Sequence, residues 1–281
     1  MDMKKIKLSA ISMIHYFKLI FRSMLFAAAL AIYIINRSLQ TGETFGGLED
    51  NRIILGIIWV VFVLEMVLRF FPSGMESMGC QKQFEKNFIA TKEKTPKLQP
   101  RRVTALVALL WLLLNAIFGV LYFLGVIDQG ILLLIALAFS VCDMICILFF
   151  CPFQTWFMKN KCCGSCRIYN WDYAMMFTPL VFVHNPYSLS LVAIALALLM
   201  RWEVGIYLHP ERFAENTNAC LSCAKCPEKL CHHKKQLRGF LKRNMQALKL
   251  KGNAILDGIK KSEKRTAQKE ESDSQNKEEI D

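Results

Sequence analysis

The segment Cys220-Leu-Ser-Cys223-Ala-Lys-Cys226-Pro-Glu-Lys-Leu-Cys231 carries the densest set of potential ligands in the chain. Gaps of two residues let successive thiolates turn inward around one centre, and Cys231 can close the set. Four sulfur ligands of this kind suit a tetrahedral zinc ion, with His232 or His233 as substitute ligands. A second group comprises Cys151, Cys162, Cys163 and Cys166. Cys163-Gly-Ser-Cys166 has a normal chelating gap, whereas adjacent Cys162 and Cys163 strain the angles at any one ion. The two groups could hold two centres, or share one that ties a loop to the tail. S-acylation is the competing use of Cys151, Cys162 and Cys163, because juxtamembrane cysteines are frequent acylation sites.

The chain has eleven cysteines. Cys80 falls in a basic loop, and Cys142 and Cys146 fall in a hydrophobic segment. None lies in a loop that the charge pattern places outside. Clustered thiols in a reducing compartment hold metal or do redox chemistry more readily than they form structural disulfides.

The first run resembles the C-x2-C-x2-C-x3-C-P pattern of bacterial ferredoxins, with a last gap of four residues and a proline after Cys226 instead of after the final cysteine. That resemblance implies an iron–sulfur cluster as cofactor, with zinc as the alternative. Cys162-Cys163-Gly164 is similar to part of the CCG motif of heterodisulfide-reductase-like proteins, without its flanking cysteine spacing. Cys146-Ile-Leu-Phe-Phe-Cys151-Pro-Phe-Gln resembles the Cys-Pro-Phe segment of membrane ferredoxins of the NapH type, with one extra residue between the cysteines. That likeness implies membrane spans carrying cytosolic four-iron clusters that exchange electrons with quinol. The rest of the chain resembles a bacterial multi-span membrane protein family.

Two carboxylates join the candidate residues. Glu65 and Asp143 both lie inside hydrophobic segments, where an ionisable side chain is costly and faces a partner or a path. Glu65 has Arg69 one helical turn away, and Asp143 is within reach of Arg69 or Arg201 on neighbouring helices. Both are read as candidates for a proton or ion relay, against an interhelical salt bridge. Met175 and Met176 near the thiols would suit Cu(I), though methionine in such a helix also serves as apolar filling.

The elements that must position these groups are hydrophobic helices. Of 281 residues, 54% are hydrophobic, and the formal net charge is +12. Apolar runs of membrane-spanning length exclude a single soluble domain, since a bilayer core takes about 20 helical residues. The runs are 17–35, 53–71, 103–126 and 131–150, then a shorter one at 168–183 and a sixth at 189–207. Lys18 and Arg22 are expected to snorkel to the inner surface.

The segment 168–183 contains Asn170, Asp172 and Pro179, and His184-Asn185-Pro186-Tyr187 marks a turn after it. It is read as one arm of a hairpin, or as a re-entrant dip. A dip would leave the basic tail outside, so the positive-inside rule favours the hairpin. The same rule puts 72–102, 151–167 and both termini in the cytosol. Trp156, Trp171 and Trp202 then fall at that inner boundary.

The expected architecture is therefore all-α: a polytopic transmembrane helical bundle of about six spans, or five plus a re-entrant segment, in the cytoplasmic membrane. A basic cytosolic N-terminus covers 1–16 and the transmembrane domain 17–208. A small cytosolic cysteine-rich element covers 209–233, a basic amphipathic helix 234–260, and a disordered charged tail 261–281. The amphipathic helix would lie on anionic lipid or pack on the protein's own loops. The basic charge belongs to loops and tail, which argues for lipid headgroups rather than nucleic acid. No nucleophile–base pair, phosphate-binding glycine loop or nucleotide-fold signature is visible. The expected function is electron transfer through a cysteine-ligated centre to a quinone or a partner protein. A transporter or scaffold with structural zinc is the alternative.

Overall fold

The computed structural model describes residues 10–38, 52–72, 74, 78–159, 163–222 and 245–246. The chain divides into two units, Met1–Cys231 and His232–Asp281, and the description below concerns the first. The expected amphipathic helix lies outside the described residues except for Met245 and Gln246, and the charged tail lies wholly outside them.

The described residues are mostly helical and contain no strand, only an isolated antiparallel bridge between Ala90 and Asn218. The helices are α1 (Ala10–Ser38), α2 (Arg52–Phe70), α3 (Met78–Gln81), α4 (Arg101–Phe123), α5 (Gln129–Leu148), α6 (Asp172–Phe177) and α7 (Pro186–Leu208). Four of them, α1, α4, α5 and α7, contain stretches of 20 to 24 residues long and apolar enough to cross a membrane. At a rise of about 1.5 Å per residue, 20 residues match the roughly 30 Å hydrocarbon layer. Leu109, Leu112 and Leu113 of α4 point outward and are more than half exposed, as side chains meeting lipid do. This is the construction of a membrane protein.

Local chemistry sets the helix ends. Asp128 caps α5, its carboxylate accepting from Ile131 N–H at 2.8 Å. Asn185 caps α7 in the same way through Tyr187 N–H at 2.9 Å, and Pro186 takes the first helical position. Gly125, with φ of 70°, reverses the chain after α4.

α1 packs antiparallel on α5: the Tyr33 hydroxyl donates to Asp128 at 2.9 Å, and the Tyr16 and Phe149 rings meet at the other end. α2 lies parallel to α7, where Trp59 Nε1 donates to Ser190 Oγ at 2.7 Å. The expected first span, 17–35, is a longer helix. Ser12 and His15 are buried within it, so the packed face continues below Phe17 and includes polar side chains.

The segment 168–183 is a helix of changing pitch. A 3₁₀ turn at Tyr169–Trp171 leads into α6, and a second 3₁₀ stretch follows at Thr178–Phe182. Together they extend about 25 Å at the rises of the two helix types. Asp172 at one end pairs with Arg69 at the C-terminus of α2. Phe182 at the other end rests on Gly119 and Phe123, near the C-terminus of α4. Such a broken helix survives among apolar neighbours only when protein surrounds it, which leaves its backbone groups shielded from lipid. Met176, Pro179 and Leu180 are accordingly fully buried, against α5 and α7.

Between α2 and α4 the chain folds over the end of the bundle that carries the cysteines. Asn218, fully buried, holds this cap together. Its amide donates to Lys82 O at 3.1 Å and Arg212 O at 2.8 Å, and its oxygen accepts from Cys220 N–H at 3.0 Å. Ala219 N–H donates to Ile89 O, and Thr91 N–H to Thr217 O, extending the bridge on both sides. Trp202, expected at the membrane boundary, is instead buried under this cap between Phe84 and Phe213.

Candidate functional site

A network of six charges crosses the bundle near its cysteine end. Arg22 of α1 is buried to 2% exposure, so it does not snorkel as expected from its place near the helix start. Its guanidinium reaches Glu65 of α2 at 2.5 Å, and Asp143 and the Ser140 carbonyl of α5 at 3.3 Å and 3.0 Å. It also lies over the Phe62 ring at 5.3 Å. Lys18, one turn earlier, meets the other oxygen of Glu65 at 3.2 Å.

The Tyr173 hydroxyl of α6 donates to Glu65 at 3.2 Å. Arg69 pairs with Asp172 and covers the Tyr173 ring at 4.9 Å. Three cations, Lys18, Arg22 and Arg69, thus face three carboxylates, Glu65, Asp143 and Asp172.

The sequence-based pairings therefore change partners. Glu65 turns to Lys18 and Arg22 instead of Arg69, and Asp143 takes Arg22 instead of Arg69 or Arg201. The cause is helix packing: α1 lies against α5, which brings Arg22 to Asp143, and the Arg22 side chain reaches across to Glu65 of α2. The signal for this was the i, i+4 placement of Lys18 and Arg22 inside an apolar stretch. Tyr173 carried no such signal, because its role depends on α6 being drawn into the bundle.

A second ion pair stands at the boundary of α7. Arg167 grips Glu203 with both guanidinium nitrogens, and Trp171 Nε1 donates to the same carboxylate at 2.7 Å.

Beside the charge network lies a cavity of about 380 Å³. Cys142, Cys146, Cys151 and Cys166 line it, together with Asp143 and Asp172. Trp111 and Phe139, whose rings pack at 5.1 Å, and Met175 and Met176 make the apolar part of the wall. Its volume falls in the range typical of small-molecule sites. The chain leaves α5 by winding past this cavity. Phe149 and Phe150 N–H both donate to Ile145 O, and Pro152 starts the π-helical turn Phe153–Phe157. That turn aims Gln154 N–H at Cys151 Sγ, 3.4 Å away, and Cys146 lines the same cavity as Cys151.

The expected metal ligands are placed as follows. Cys166 is buried, in the cavity wall. Cys163 starts the 3₁₀ turn Cys163–Ser165. Cys220 lies on the 3₁₀ turn Ala219–Leu221, and its thiol donates to Asn87 O at 2.8 Å. Cys162, Cys223, Cys226 and Cys231 lie outside the described residues.

Gly164 and Leu221 are neighbours: a methyl placed on Gly164 would stand 3.6 Å from Leu221 Cδ2. Gln83 supports the same junction, donating to Gly164 O at 2.7 Å and accepting from Asn170 Nδ2 at 2.6 Å. Among the described residues, no three His, Cys, Asp or Glu side chains are disposed to hold a metal ion. The described cysteines Cys80, Cys142, Cys146, Cys151, Cys166 and Cys220 are all thiols. Neither a family model, nor a curated protein, nor a solved structure matches this chain.

Proposed function

We propose that this chain is a membrane redox protein of the cytoplasmic membrane. In this reading, loop and tail cysteines ligate an iron–sulfur centre at the cytosolic end, and the cavity takes a quinone-class carrier. The observation that carries it is the double position of Cys166. Cys166 lines the cavity, and the turn just before it packs against Leu221, next to Cys220 in the chain. A centre held at that junction would stand beside the carrier's site. Cys220, Cys223, Cys226 and Cys231 are the ligands proposed for it, with Cys162, Cys163 and Cys166 from the loop. The centre would supply one-electron exchange.

The protein's own residues do the rest. Trp111, Phe139 and the two methionines give a flat apolar ring a dry seat. Arg22 keeps Asp143 oriented at the cavity wall, where the carboxylate can meet a proton that accompanies the electron. Gln83 and Asn218 hold loop and tail together without any metal, so that ligands from both can meet.

The deciding measurement is the absorption spectrum of anaerobically purified full-length protein, with metal analysis. Brown protein that bleaches on reduction, and that loses its colour in Cys223→Ser, is the expected result. Colourless protein with stoichiometric zinc overturns the reading in favour of a structural zinc knot.

A further inference from the structure

Cys146 and Cys151 have a geometry of their own, apart from the proposed iron–sulfur ligands. Five positions separate them along the chain, yet the break at the end of α5 puts both on the wall of one cavity, where their side chains interact. A regular helix would set residues five apart on different faces. Here the helix ends at Leu148, Phe149 leaves helical geometry, and Cys151 turns back toward Cys146. Gln154 N–H points at Cys151 Sγ and favours negative charge there, which is what an attacking thiol requires. The surrounding wall is apolar and aromatic.

We infer that Cys146 and Cys151 form a redox-active dithiol that exchanges two electrons and two protons with a quinone bound in the cavity. In the forward direction both S–H bonds break and one S–S bond forms. The two electrons and two protons pass to the two quinone oxygens, giving quinol. Cys151 would thus be a redox thiol, and not the metal ligand that its grouping with Cys162, Cys163 and Cys166 suggests. The inference rests on the proposed quinone site and adds the group that reacts there. A dithiol also suits the carrier's chemistry, since each is a two-electron couple.

The test uses anaerobically purified, reduced full-length protein in detergent, mixed with decylubiquinone. Quinol formation is followed by ultraviolet absorbance. Thiols are then alkylated, and peptide mass spectrometry locates any disulfide. The expected result is quinol formation with a Cys146–Cys151 disulfide recovered from the wild-type protein, and loss of that reaction in Cys146→Ser and Cys151→Ala. If quinol forms while both thiols remain alkylatable in the wild type, the dithiol is overturned and the redox reading stands. If no quinol forms, the cavity holds lipid or another apolar group, and both fall. The wild-type measurement decides the matter even if a variant fails to fold.

Discussion

Arg22 and Asp143 stand 121 positions apart in the chain and 3.3 Å apart in space. The same guanidinium, buried in the first helix, closes on Glu65 at 2.5 Å, so one side chain ties α1 to both α2 and α5. Within a membrane bundle, where an unpaired charge is expensive, this makes Arg22 the centre of the assembly.

Replacing Arg22 with Met should therefore take the ion-pair partner from Asp143 and leave Glu65 with Lys18 and Tyr173 alone. The expected loss is about 3–5 kcal/mol, the cost of breaking a buried pair from one side. Thermal unfolding in detergent should show Arg22→Met/Asp143→Asn recovering part of that loss. The non-additivity should be about 0.5–3 kcal/mol, as for residues in direct contact. Strict additivity would mean that the two groups do not interact.

Gly119 lets Phe182 lie against α4. A Cβ there would approach the Phe182 ring to 2.6 Å, well inside contact distance. Gly119→Ala should cost about 1–3 kcal/mol, the range for overpacking a filled interior. Phe182→Leu in the same chain should restore most of it. A neutral Gly119→Ala would show that the 3₁₀ stretch Thr178–Phe182 sits elsewhere.

Asn218→Ala removes the donor to Lys82 O and Arg212 O and the acceptor for Cys220 N–H. Each buried group left unpaired costs about 1–3 kcal/mol. The loss should be local, read as faster hydrogen exchange over 82–91 and 212–222 with α4 and α5 unchanged. Uniform acceleration throughout the bundle would instead show that the cap and the helices unfold together.

Cys220 is partly accessible, and the proposed orientation puts it in the cytosol. An impermeant maleimide should leave it unlabelled in intact cells and label it in inverted vesicles. Labelling from outside intact cells would reverse the topology and remove the reducing compartment on which the metal reading depends.

The arrangement of helices was readable where the evidence is local. Apolar runs of 19 to 24 residues marked α1, α4, α5 and α7, because bilayer thickness imposes a length that needs no partner to recognise. The Asp128 and Asn185 caps lay in the short turns between runs, where a side chain answers to backbone two or three residues on. Clustering of the thiols was equally plain from spacing.

The tertiary structure decided which groups meet. Arg22 looked like an interfacial lysine-type side chain because helix position alone says nothing about which face a neighbour covers; packing of α1 on α5 turned it inward. Cys151, grouped by its spacing with Cys162, Cys163 and Cys166, lines the same cavity as Cys146 and Cys166 once α5 breaks at its end. Segment 168–183 is short and interrupted by Asn170, Asp172 and Pro179, and burial of Tyr173, Met176, Phe177 and Leu180 against its neighbours, not length, lets it keep a mixed pitch. A linear chain encodes periodicity and reach within a few turns. Contacts over a hundred positions exist only once the helices have chosen their neighbours.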